Sequence, residues 1–249
     1  MKERELYIEE IVFELPKKEG RKYPFSIPAV WEWGRRKIKS PVTIFIGENG
    51  SGKSTVLEAI AAAAGLNPEG GSRNFSFSTQ NTHSILEEYV QLIRGAYRPK
   101  DSYFLRAESF YNVATEIDEL NKPDNGLFPA YGGCSLHHQS HGESFLSLAQ
   151  NRLRGNGLYL FDEPEAALSP VNQLVLLRVI DKLVEKHSQL FICTHSPILL
   201  CCPGAQIYEL SREKGRAICL LDDYRQSDLF RFYSSFLHNP QRIIEQLRE

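Results

Sequence analysis

Apolar and polar positions along the 249-residue chain follow two rhythms. Leu6–Phe13 runs close to period two and predicts a half-buried strand, with Tyr23–Ala29 as its expected antiparallel partner across a turn at Lys17–Lys22. The apolar runs Val42–Ile46, Leu158–Phe161 and Leu190–Thr194 do not alternate, which predicts strands covered on both faces, as in a parallel sheet. Between and after them the period lengthens. The Ala-rich stretch from Lys53 predicts a helix that stops at Gly65, with Pro68 just beyond. Ser84–Ile93, Phe110–Leu120 and Gly142–Leu153 also read as helices, the last with Phe145, Leu148, Ala149 and Leu153 on one side and Gly155 as its end. Ser169-Pro170 has the form of a helix start, Ser capping and Pro at the first position. That helix runs to about His187, with Leu174, Leu177, Ile180 and Val184 as its apolar stripe.

Short strands are expected at Asn74–Thr79, Tyr103–Arg106, Gln206–Leu210 and Ala217–Leu221, and Ser227–Arg248 as an amphipathic helix in two pieces around Pro240. Asn121–Ser135 is irregular and rich in Gly and Pro. The strand–helix rhythm lapses over 81–135 and returns from Ser140. The pattern therefore predicts an α/β fold in a single domain, 1–249. It has a mixed-sheet core, an N-terminal antiparallel β-subdomain and an inserted helical lobe at about 81–150.

Composition changes this picture little. Hydrophobic residues at 42% and charged ones at 24% are ordinary for a globular chain. A net charge of −2 gives no global attraction to nucleic acid. Residues 1–40 hold ten Lys/Arg against seven Glu, a surplus of three, gathered at 17–22 and 35–39. A solvated face is the simple account of that surplus, and a DNA-backbone surface is the alternative. Five cysteines without a paired framework point to a reducing compartment. The charged start Met1–Glu10 is unlike a secretion signal, and no apolar run reaches membrane-spanning length. A cytoplasmic protein without membrane insertion is expected.

Chemistry enters at Gly47–Thr55, which reads Gly-Glu-Asn-Gly-Ser-Gly-Lys-Ser-Thr. Gly47, Gly52, Lys53 and Ser54 fit the phosphate-loop pattern G-x-x-x-x-G-K-[ST], and the stretch lies between a strand and a helix as that pattern requires. Glycines at 47, 50 and 52 let successive N–H groups of Gly47, Glu48, Asn49, Gly50, Ser51, Gly52, Lys53, Ser54 and Thr55 curl around one anion. The helix start adds its positive end. Lys53 is expected on the β- and γ-phosphates and Ser54 on Mg²⁺. Leu158–Glu163 places Asp162 and Glu163 at the C-terminal end of a strand, where open α/β sheets bind ligands. There Asp162 would take Mg²⁺ and Glu163 would polarise a water. An acidic helix cap is the bland alternative.

With these motifs in view, the chain resembles the ABC-type ATPase superfamily. It is similar above all to the soluble chromosome-maintenance and repair branch and its small stand-alone bacterial ATPases. The order is that of the family: phosphate loop at 47–54, a signature-like Ser-His-Gly-Glu-Ser at 140–144, Asp162-Glu163, and Cys-Thr-His-Ser-Pro at 193–197. Ser140 lies 22 residues before Asp162, and His195 lies 32 after Glu163. The resemblance implies a P-loop NTPase head with ATP and Mg²⁺ as cofactors. It makes Glu163 the general base, His195 a switch histidine at the γ-phosphate, and Lys53 a phosphate ligand. Ser140 and Gly142 would close over ATP bound to a second subunit of a head-to-tail homodimer. Glu165–Pro170 resembles the loop that crosses the dimer interface, with Ser169 where Asp is usual. Glu108 fits the position of the lid glutamine that approaches the metal, and Gln80 fits its residue type. Tyr23 is a candidate for stacking on adenine.

Cys134, His137, His138 and His141 have spacings that could serve zinc, but no second ligand pair accompanies them. Ser140 lies 87 positions after Lys53, which leaves no room for long coiled-coil arms, so the output must act on a protein partner or on DNA. The expected role is an ATP-driven switch in DNA repair, genome maintenance or defence. The ATP-binding subunit of a membrane transporter is the alternative.

Overall fold

The computed structural model describes residues 6–16, 22–68, 70–72, 85–108, 110–121 and 141–246. In chain order its strands and helices begin with β1 (Ile8–Phe13), α1 (Pro28–Trp31), β2 (Arg35–Lys37), β3 (Val42–Gly47) and α2 (Lys53–Ala63). Next come β4 (Gly71–Ser72), β5 (Val90–Arg94), β6 (Asp101–Arg106), α3 (Phe110–Asn121), α4 (His141–Asn151) and β7 (Gly157–Asp162). The rest is α5 (Pro170–Glu185), β8 (Gln189–Cys193), α6 (Pro197–Leu200), β9 (Gln206–Leu210), β10 (Ile218–Leu221), α7 (Asp228–His238) and α8 (Pro240–Gln246).

Seven strands form the main sheet in the order β10-β9-β3-β8-β7-β6-β4. The five inner strands run parallel, and β10 and β4 close the edges antiparallel. The apolar runs are buried at every position in β7 and β8, because both faces are covered. On one face Phe45, Phe104, Leu158, Leu160, Phe191 and Tyr208 pack against α2 and the smaller sheet. On the other, Ile44, Ile46, Tyr103, Tyr159, Phe161 and Ile192 pack against α3, α4 and α5. Complete burial of such a side chain contributes about 1.5–3 kcal/mol.

The smaller sheet is antiparallel, in the order β2-β1-β5. It is held to the main sheet by Trp33, stacked on Phe13 at 4.9 Å and edge-on to Phe45 at 5.8 Å. A buried amide reinforces the joint: Tyr7 N–H and Ile8 N–H both donate to Gln189 Oε1, and Gln189 Nε2 donates to Ile8 O, each at 2.9 Å.

Three expected features differ. Tyr23–Ala29 is not the partner of β1; residues 22–27 are turn and α1 starts at Pro28. Pro24 and Pro28 have no N–H to give a ladder, and Pro28 suits a first helical position. Of the helix expected over Ser84–Ile93, the described residues 85–93 form no α-helix. Ile85–Tyr89 makes a short 3₁₀ turn, and the chain then pairs with β1 as β5. The expected lobe is thus helical at α3 and α4, while β5 and β6 within it belong to the two sheets. In α5 the buried stripe is Leu176, Val179, Ile180 and Leu183, and Leu174 is 57% exposed. Both stripes satisfy the helical period, and contact with the sheet selects this one. The strand expected at Asn74–Thr79 lies outside the described residues.

Candidate functional site

The parallel register brings five strand ends to one edge of the main sheet. Phe45 and Asp162 flank Cys193, Arg106 flanks Asp162, and Gly47 flanks Leu210. The candidate site is built on that edge. From Gly47 the chain loops into α2 through glycines in the left-handed region at 47, 50 and 52 (φ 140°, 75° and 101°). Gly52 is the N-cap of α2, and a Cβ there would lie 2.6 Å from Ile27. Lys53 is buried, and its Nζ donates to Gly47 O at 3.0 Å and Glu48 O at 3.1 Å. Burial pushes its pKa down, against the pull of Cys193, Glu163, Asp162 and Glu165. The hydroxyl of Ser51 is buried with no hydrogen-bond partner among the described residues. An unpaired polar atom inside a glycine loop suits a polar ligand.

Ser54 Oγ donates to Asp162 Oδ1 at 3.0 Å, so the start of α2 meets the end of β7. Asp162 is 5% exposed, and burial pushes its pKa up to about 6 against the opposing pull of Arg106. Arg106 binds Glu58 on α2 at 2.8 Å and approaches Asp162 and Glu108 at 3.5 Å. It also donates to Pro68 O at 3.0 Å. A buried carboxylate beside a hydroxyl is a donor set that a hard divalent cation favours. Ser54 and Asp162 are the residues that would hold Mg²⁺. Glu108, 85% exposed in its side chain, is joined to the group through Arg106.

Past Asp162 the backbone turns left-handed at Glu163 (φ 49°, ψ 50°), a conformation uncommon for a residue with a Cβ. Glu163 Oε1 stands 3.4 Å from His195 Nε2, and its carboxyl remains open to solvent. Burial and then Lys53 push the His195 pKa down, while Glu163 works against them. Imidazole is therefore the neutral form near pH 7. The His195 backbone N–H donates to Glu165, whose carboxyl is pushed up by burial. Ser196 Oγ accepts from Ile198 and Leu199 at the start of α6 and donates to Gln173 at 2.6 Å.

Gly142, near the start of α4, faces the turn after Glu163: a Cβ would lie 2.6 Å from Ala167 O. Ser140 and Gln80 lie outside the described residues, as do Cys134, His137, His138 and the side chain of His141. Among the described residues no group of His, Cys, Asp and Glu is arranged to hold a metal by itself. Tyr23 is 69% exposed on its turn. Arg106 and Glu58 are part of the site and sequence reasoning passes over both; Glu165, expected only as the start of an interface loop, is part of it in a buried role. Arg106 closing the predicted strand beside a carboxylate strand end was the one usable signal.

Residues 32–125 match a family model described as an AAA domain, and residues 142–200 match one described as an AAA ATPase domain. Two stretches of the chain are thus similar to AAA-type ATPase domains. A curated protein similar to this chain, 22% identical over 222 residues and 81% of each chain, is the Petrobactin import ATP-binding protein FpuD of Bacillus anthracis. Among solved structures, the SMC head domain from Thermotoga maritima is similar at TM-score 0.47 and 15% identity, over 87% of this chain and all of that one (100%). The ABC transporter component cbiO1 from Clostridium perfringens is similar at TM-score 0.49 and 14% identity, over 98% and 100%. No helix among the described residues is long and apolar enough to cross a membrane.

Proposed function

We propose that this chain binds and hydrolyses ATP with Mg²⁺, and that two copies close head to tail around two nucleotides. One observation carries the reading: Lys53, the Ser54–Asp162 pair and the Glu163–His195 pair converge on one glycine loop. The loop N–H groups and Lys53 take the charge of the phosphates. Ser54 and Asp162 would hold Mg²⁺, which would supply further neutralisation of that charge. Glu163 accepts the proton of the attacking water, a role its solvent-reaching carboxyl suits. Neutral His195, oriented through Glu165, offers an N–H toward the terminal phosphate. Ser140 and Gly142 close over the partner copy's ATP. Because Gly142 abuts the turn after Glu163, closure bears directly on the general base.

The favoured role is a mechanochemical switch in DNA repair, genome maintenance or defence, acting in the cytoplasm on DNA or a protein partner. The non-transporter form of residues 140–144 and Glu-Pro-Glu-Ala-Ala-Leu-Ser-Pro at 163–170 support it. Likeness to an import ATP-binding protein favours a second reading, the energising subunit of a transporter, which requires a membrane partner. Paired variants test the chemistry. Lys53→Ala is expected to lose ATP binding, and Glu163→Gln to keep it while phosphate release falls about 10²–10⁴-fold. Wild-type turnover in Glu163→Gln would remove the assigned base.

A further inference from the structure

The β9–β10 hairpin brings one more cation, Arg212, to the phosphate loop. Its Nη2 donates to Asn49 O, and its guanidinium fills the space where a Cβ on Gly50 would stand. The arm that presents it is braced. β9 is paired with β3 up to Gly47 and Leu210. Glu32, at the end of α1, accepts from Gly215 N–H at 2.6 Å and Ala217 N–H at 3.1 Å. Ser211 Oγ bridges the hairpin from within, accepting from Glu213 N–H and donating to Arg216 O, each at 3.1 Å.

The carbonyl of Asn49 and the N–H of Gly50 belong to one planar trans peptide group, so they point to opposite sides. A guanidinium that holds the carbonyl outward therefore aims the Gly50 N–H inward. Gly50, at φ 75°, is a residue whose backbone would otherwise move freely. A phosphate loop depends on inward N–H groups around the α- and β-phosphates. We propose that Arg212 is a positioning residue for nucleotide binding, acting through the Asn49–Gly50 peptide and not on the terminal phosphate. The proposal rests on the reading of 47–55 as a phosphate loop. It requires ATP and ADP to be affected alike, since both carry the α- and β-phosphates.

The test is calorimetric titration of ATP and of ADP into the full chain as wild type, Arg212→Ala, Arg212→Gln, Arg212→Lys and Lys53→Ala. Arg212→Ala is expected to weaken both nucleotides by about ten-fold, the loss of one charge-assisted hydrogen bond. Gln and Lys, which still donate to a carbonyl, should recover part of that loss. Because Arg212 is exposed, the nucleotide-free melting temperature should stay within about 2 °C, well under the shift of a lost core contact. Unchanged affinities in Arg212→Ala overturn the proposal. So does a loss confined to ATP with Gln no better than Ala, which would make Arg212 a direct ligand of the terminal phosphate. Lys53→Ala separates the two levels: binding lost there but intact in Arg212→Ala overturns the role of Arg212 alone. Binding intact in both overturns the phosphate-loop reading itself.

Discussion

Replacing Asp162 by Asn should stabilise the nucleotide-free, metal-free protein at neutral pH. In the fold the Asp162 carboxyl ionises only near pH 6, against an ordinary 3.8, chiefly because it is buried. At about 1.4 kcal/mol per tenfold, that displacement amounts to about 3 kcal/mol of destabilisation once the group is charged. The folded carboxyl holds its proton more tightly than the unfolded one. The penalty is therefore complete above about pH 6, shrinks as pH falls from there, and is absent below about 4. Asn keeps the size of the side chain and an oxygen for Ser54. Arg106 is not orphaned, since Glu58 and Pro68 O still hold it. For a chain of this length about 3 kcal/mol corresponds to roughly 6–12 °C in melting temperature. The assay is thermal unfolding by circular dichroism in EDTA, wild type against Asp162→Asn, at pH 8, 6 and 4. A gain at pH 8 that disappears at pH 4 is expected. Equal or lower stability of Asp162→Asn at pH 8 would mean that burial of the carboxylate is not the dominant influence.

Gly142→Ala should cost about 1–3 kcal/mol in urea unfolding, because its Cβ meets the backbone oxygen of Ala167, which cannot swing aside. An unchanged midpoint would mean that α4 does not seat on that turn. Gln189→Leu removes the acceptor of Tyr7 and Ile8 and the donor to Ile8 O. Leaving those buried groups unpaired should cost at least about 2–4 kcal/mol and speed hydrogen exchange at Tyr7 and Ile8. Slow exchange at both amides in the variant would refute the amide as the link between the sheets.

The parts of the site that were readable from sequence are those whose signal is local. Glycines at 47, 50 and 52 before Lys53 specify a loop whatever lies elsewhere, and four apolar residues before Asp162 specify a buried strand with an acid at its end. The inner strands were readable for the same reason, since a run with both faces covered needs no knowledge of its neighbours. Pairing is not local. The partners of β1 are β2 and the distant β5, and nothing near Leu6–Phe13 names either. Within Ser84–Ile93 the glutamates 87 and 88 suit a helix, but pairing of Val90–Arg94 with β1 overrides that preference. Arg106 and Arg212 join the site only because the register of β6 beside β7 and of β9 beside β3 brings their strands to the same edge.

The most direct measurement of the central claim is the molar mass of Glu163→Gln by light scattering, with and without saturating Mg-ATP. A variant that binds ATP but cannot release it by hydrolysis should accumulate in the closed state. The account predicts a monomer near 28.4 kDa without nucleotide and twice that mass with it. Lys53→Ala should remain at the monomer mass in both conditions. A Glu163→Gln protein that binds Mg-ATP and stays at the monomer mass would contradict the head-to-tail dimer.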